Sequence, residues 1–113
     1  MNNLTIIGRL GAEPAVRTTK EATVARISLG VNHKRDKAEE TEWIEVILWN
    51  RLALTAQQYY HTGDKVYVRG HLASSSYDDK DGMTHYVVTQ IVADEMEKLS
   101  TAKRNIQEQD KQN

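Results

Sequence analysis

The chain has 113 residues, 15 of them basic and 16 acidic, for a formal charge of −1. That length supports a single compact domain with one modest core, and the charge balance excludes a protein that coats polyanions through bulk positive charge. With no cysteine, disulfides and thiolate chemistry are excluded and zinc loses its commonest ligands. No stretch approaches the ~18–20 apolar residues of a membrane span. The opening MNNLTIIGRLG lacks the basic n-region and cleavage pattern of a signal peptide, so a cytoplasmic location is expected.

Residues 4–11 (LTIIGRLG) are rich in β-formers, and Gly8 and Gly11 mark a bulge, a bend or a close backbone approach. Glu13-Pro14 breaks this run, and residues 16–19 form a candidate short return strand. Residues 23–32 alternate: Ala25, Ile27, Leu29 and Val31 face one way, Arg26, Ser28 and Gly30 the other, as in a half-buried strand. Residues 33–42 (HKRDKAEETE) are charged and apolar-poor and read as a loop. Its first half is basic (Lys34, Arg35, Lys37), its second acidic (Glu39, Glu40, Glu42).

Residues 41–50 (TEWIEVILWN) form the central strand. Successive side chains point to opposite faces, so Ile44, Val46 and Leu48 share one face and Trp43, Glu45, Ile47 and Trp49 the other. A glutamate between two tryptophans makes the first face the core and the second a surface for water or a ligand. At roughly 3.3 Å per residue the two rings stand about 20 Å apart, room for several nucleotides or a partner protein. After this strand, Leu52, Ala56 and Tyr59/Tyr60 fall at helical spacing, with Gly63 in the place of a C-cap glycine. Residues 64–77 return to strand, with Val66, Val68 and Leu72 inward, Tyr67, Arg69 and His71 outward, and Gly70 as a bend. The DDKDG stretch at 78–82 is a hairpin turn, and residues 85–93 are the last strand. Residues 100–113 are too polar to bury enough surface to offset their ordering entropy, and read as a disordered tail or frayed helix. Five strands with one short helix between the third and fourth describe an all-β OB-fold, a five-stranded Greek-key barrel.

No catalytic constellation is evident. The four histidines (33, 61, 71, 85) are scattered without i,i+4 pairing, and each reads as a surface residue rather than a ligand. The glycines make no phosphate-binding loop, and Asp78, Asp79 and Asp81 lack calcium-loop spacing. What remains is an aromatic set, Trp43, Trp49 and Tyr77, interleaved with Lys34, Arg35, Arg51 and Arg69. Single-strand binders combine a cationic groove with such aromatic platforms, because every base has a π face.

In order along the chain, the phrases IIGRLGAEPAVR (6–17), VARISLGVN (24–32), TEWIEVILWNRLA (41–53), YYHTGDKVYVRGHL (59–72), DDKDG followed by His85-Tyr86, and IVADEMEKL (91–99) resemble the bacterial-type single-stranded DNA-binding proteins. The resemblance covers residues 2–99. It implies an OB-fold domain over 1–99, sequence-independent binding of single-stranded DNA in replication, recombination or repair, no catalysis, no cofactor, and a homotetramer, with a dimer as the alternative. Position by position, Trp43 and Trp49 match the family's two stacking aromatics on this strand and Tyr77 a third, commonly Trp. Arg51 matches the basic residue two places after the second aromatic, and Tyr59 the tyrosine of the short helix.

The chain also departs from the pattern. Lys34-Arg35 stands where many members carry another tryptophan, Glu45 where relatives often have Asn or Arg, and Ala73-Ser74-Ser75-Ser76 where a basic run is usual. Arg9 and Arg69 add charge at places often Asn and Glu or Gln. One extra residue between Tyr86 and Ile91 predicts a bulge or a shifted register. The end, EQDKQN, lacks the acidic, Phe-ending tip through which members recruit replication and repair proteins, so that partner role is not carried over. The candidate nucleic-acid-binding residues are therefore Trp43, Trp49, Tyr77, Arg51, Lys34, Arg35, Arg9 and Arg69. Two readings compete with single-stranded DNA binding. One is a primosomal-type or accessory interaction module that binds DNA weakly and docks a replication protein on the Trp face, favoured by Glu45 and the serines at 74–76. The other is RNA binding, to which stacking alone is indifferent.

Overall fold

A computed structural model of the chain describes the backbone of residues 2–102 and their side chains except those of 75, 77 and 86–89. Of the expected tail, residues 103–113 lie outside the described residues. The elements are β1 (Leu4–Leu10), β2 (Ala15–Thr18), β3 (Thr23–Arg35), β4 (Ala38–Trp49), α1 (Arg51–Tyr59), β5 (Lys65–Asp78) and β6 (Thr84–Ser100). Hydrogen bonding runs β1-β5-β6-β4-β3, and β3 pairs with β1 to close the ring. β2, the short return strand, lies against the first residues of β3 beside that closing pair. The five-stranded barrel is thus as expected for an OB-fold, with α1 following the third barrel strand.

The inward set follows the alternation. Ala25, Ile27 and Leu29 of β3 meet Val46 and Leu48 of β4, Val66 and Val68 of β5, and Ile6 and Leu10 of β1 in one buried cluster. Ala53 and Ala56 of α1 and Tyr60 just after it join that cluster. Among the described residues no helix is long and apolar enough to cross a membrane.

Several local readings change. Residues 33–42 are not a loop. β3 continues to Arg35 and β4 begins at Ala38, joined by a two-residue turn with Asp36 and Lys37 both at positive φ (50° and 70°), the backbone that matches strand twist in a tight hairpin. The basic and acidic halves face each other in register, His33 opposite Glu40 and Lys34 opposite Glu39, an arrangement that opposes unlike rather than like charges. Gly63 does not cap the helix. α1 passes into extended backbone at Tyr60, and Gly63 (φ 88°) turns the chain into β5 while its N–H bonds the Leu10 carbonyl. Leu72, expected inward, is 44% exposed. The last pairing of β5 with β1 is Gly70–Leu4, so Leu72 lies beyond the closed barrel. The bulge expected between Tyr86 and Ile91 is present: Ala73 faces Gln90 and Ser74 faces Val88, which leaves Thr89 as the extra residue.

One end of the barrel is tied by a buried carboxylate. Asp64 is 0% exposed. It accepts the N–H of His61 and of Ala102, each at 2.9 Å, and pairs with Lys98 Nζ at 3.0 Å. Burial pushes this carboxyl up, but the two amides and the ammonium together outweigh it and hold its pKa below the ordinary value. Beside it, Glu13 accepts from the His61 ring (2.8 Å) and from the Thr62 amide and hydroxyl. Its pKa is drawn down to about 2, chiefly by His61 and then by Thr62. Both folded pKa values are depressed, so the stability these groups add is present above the ordinary carboxylate pKa of about 4 and is lost as pH falls toward about 2. Urea unfolding should give a midpoint that is flat near neutrality and declines below about pH 4. Asp64→Ala, which strands Lys98 and two amides, should cost about 3–5 kcal/mol and lessen that acid dependence.

Candidate nucleic-acid interface

Strand register alone assembles the outer face. Directly opposed residues in neighbouring strands share a face. Lys65 of β5 stands opposite Arg9 of β1, Arg9 opposite Gly30 of β3, and Gly30 opposite Trp43 of β4. A single row crossing four strands therefore carries Lys65, Arg9, a glycine and a tryptophan. Two residues along β4, Ser28 faces Glu45; two further, Arg26 faces Ile47; two further, Val24 faces Trp49. β2 extends the last two rows, setting Ala15 beside Arg26 and Arg17 beside Val24.

Trp43 is seated on glycine. Its six-membered ring lies over Gly30 and Gly11: a Cβ on Gly30 would stand 3.0 Å from the ring's Cζ3, and one on Gly11 only 2.4 Å. Gly11 is held there by its N–H to the Ser28 carbonyl (2.9 Å). The ring can lie flat only because neither neighbour has a side chain, the cross-strand use of glycine under an aromatic. With one face covered, Trp43 remains 62% exposed. A cavity of about 510 Å³ beside it is lined by Arg9, Lys65, Asn32 and Ile7, among others.

Trp49 occupies the other end, 48% exposed, at a groove of about 540 Å³ lined by Arg17, Arg26, Val24, Ile47 and Gln90, among others. Ile47, read as surface from its alternation with the tryptophans, is only 4% exposed. It sits mid-sheet between Arg26 of β3 and Val92 of β6, and gives the groove an apolar floor. Glu45 is exposed between the two ends, with no hydrogen bond or ion pair among the described residues.

The other candidates are more dispersed. Arg9 reaches the Trp43 row, although its Nη1 donates to the Gly63 carbonyl at 2.9 Å. Arg51 opens α1, two residues past Trp49, and is exposed. Lys34 and Arg35 lie on the β3–β4 ribbon beyond Trp43, opposite Glu39 and Ala38. Arg69 is ion-paired with Glu95 at 3.1 Å. The backbone of Tyr77 pairs with His85 near the tip of the β5–β6 ribbon, and its side chain lies outside those described. Sequence reasoning passed over Lys65, Arg17, Arg26 and Gln90. Arg26 was already assigned outward by alternation; Arg17 comes alongside a tryptophan through the successive β2–β3 and β3–β4 pairings, and Lys65 and Gln90 only through strands distant in the chain. All four histidines meet carboxylates, His33–Glu42, His61–Glu13, His71–Asp94 and His85–Asp79, at 2.7–3.0 Å. No metal-binding cluster occurs among the described residues.

Residues 1–99 match the Single-strand binding protein family. The chain is 38% identical over 112 residues to single-stranded DNA-binding protein 1 of Streptococcus pyogenes serotype M6, which spans 95% of this chain and 84% of that one. It is 35% identical, with the same coverage, to single-stranded DNA-binding protein 2 of Streptococcus agalactiae serotype V. To the single-stranded DNA-binding protein of Bacteroides thetaiotaomicron it is 33% identical over 108 residues, 88% of this chain and 66% of that one. The ordered phrases, the closed barrel with its exposed tryptophans and a match across 99 residues agree: this chain belongs to the single-strand binding protein family.

Proposed function

We propose that this protein binds single-stranded DNA without sequence preference across the outer face of β3 and β4, serving DNA replication, recombination or repair as a non-catalytic binder. The observation that carries this reading is the glycine-seated Trp43, whose free ring face lies beside Arg9 and Lys65. A rigid aromatic plane with cations at its margin suits a base and its phosphate together. Two such platforms contribute about 2–6 kcal/mol, less than the ~8 kcal/mol of a micromolar complex. Phosphate contacts supply the remainder and make affinity fall with salt. A homotetramer belongs to this reading as its expected assembly, and sedimentation equilibrium measures it.

Oligo-dT should quench the tryptophan fluorescence at low salt and micromolar protein, and the absence of quenching would sink the proposal. Matched oligo-rU tests the RNA alternative, and is expected to bind more weakly. Trp43→Ala should lose about 1–3 kcal/mol of binding. Gly11→Ala should lose part of the same energy, because its Cβ displaces the ring. Its φ is not positive, so the backbone accepts alanine and the unfolding midpoint should stay close to that of the parent.

Glu45 stands between the two rings where a strand passing from one to the other must cross it. Glu45→Arg should tighten oligo-dT binding and steepen the dependence of log K on log salt by about 0.7. Unchanged affinity would place the DNA path elsewhere.

A further inference from the structure

The groove at Trp49 contains a charge arrangement that folding does not explain. Arg26 lies diagonally across the sheet from both Arg17 and Trp49, a relation of about 7–8 Å between backbones. Both arginines are exposed, and among the described residues neither makes an ion pair or a side-chain hydrogen bond. Glu45 is the carboxylate diagonal to Arg26 on the other side, and it does not pair with it. Two arginines thus rise from diagonal positions into one groove that Ile47 and Trp49 also line, and no carboxylate among the described residues neutralises either. The groove's volume, about 540 Å³, falls within the range of small-ligand sites, and Gln90 offers an amide at its rim. The guanidinium fork matches phosphate oxygens in pairs.

We propose that this groove is a nucleotide subsite in its own right, in which one base stacks on Trp49 while Arg17 and Arg26 hold the phosphates on either side of it. The inference rests on the single-stranded DNA reading and adds to it a location for the salt-sensitive part of binding. The two ends of β4 then work differently. At the Trp43 end Arg9 is tethered to a backbone carbonyl and Lys65 alone is free among the described residues; at the Trp49 end both arginines are available to the backbone of the nucleic acid. Glu45 separates them, so the strand engages the protein at two places rather than along one continuous track.

The chain has two tryptophans, so Trp43→Phe leaves Trp49 as sole reporter of this groove. In that variant, thymidine 3′,5′-bisphosphate should quench Trp49 at concentrations where thymidine does not. Equal quenching by both would overturn the phosphate clamp. In the protein with both tryptophans, Arg17→Ala combined with Arg26→Ala should weaken oligo-dT binding at low salt at least about tenfold. It should also reduce the salt slope by about 1.4, at about 0.7 for each phosphate no longer neutralised. Lys80→Ala, which removes an exposed charge in the β5–β6 turn, should leave the slope as it is. If the parent protein binds oligo-dT and the double variant keeps the parental slope, the subsite is wrong while the broader function stands. If the parent does not bind at all, the broader function itself has failed.

Discussion

Gly30 stands opposite Trp43, and since side chains in a strand alternate faces at every residue, that one pairing decides what the outer surface can do. A slip of one residue between β3 and β4 would send both tryptophans into the barrel and bring Val46 and Leu48 out. The same pairing puts a residue without a side chain under the ring, and barrel closure brings Gly11 to the other half of the seat. Closure is therefore part of the site as much as of the fold. Arg9 and Lys65 reach the Trp43 row because β1 bridges β3 and β5, and an open sheet with the same strands would leave them on a remote edge.

The face built in this way has two ends and a middle. Each end combines an aromatic plane with cations from two other strands, and the middle carries Ser28 and Glu45. Ile47 ties the arrangement to the interior: it shares the tryptophans' face yet is buried against the centre of the sheet, so the outer surface is grooved rather than flat between Glu45 and Trp49.

The architecture was legible because its cues are local. Alternation over residues 23–32 and 41–50 assigned Ala25, Ile27, Leu29, Val46 and Leu48 to the interior, and an extra residue before Ile91 announced the bulge at Thr89. The failures share a cause. Residues 33–42 looked like a loop because they lack an apolar face, and their strand character rests on pairing with each other across a tight turn, invisible until the partner strand is known. Leu72 has the sequence parity of a core residue but lies past the last β1–β5 pair. In the candidate site the tryptophans were readable from one strand, whereas Arg17 becomes a neighbour of a ring only through two successive strand pairings and Lys65 only through pairing between strands far apart in the chain. Arg69, a candidate binding residue, is ion-paired with Glu95, a partner that nothing in its own strand announces.

That last pair bears on how a chain of net charge −1 can attract a polyanion. Net charge sets the far field, but a phosphate at a surface responds to charges within about a Debye length, roughly 10 Å at 0.1 M salt. Away from the outer face of β3 and β4, five carboxylates are engaged with a cation or histidine: Glu13 with His61, Asp64 with Lys98, Asp79 with His85, Asp94 with His71, Glu95 with Arg69. Arg17, Arg26 and Lys65 have no such partners among the described residues, and all three line cavities beside a tryptophan. The molecule is neutral on average yet locally cationic where its aromatic planes are free. Glu45 is the exception on that face, and its position between the rings sets the two cationic ends apart.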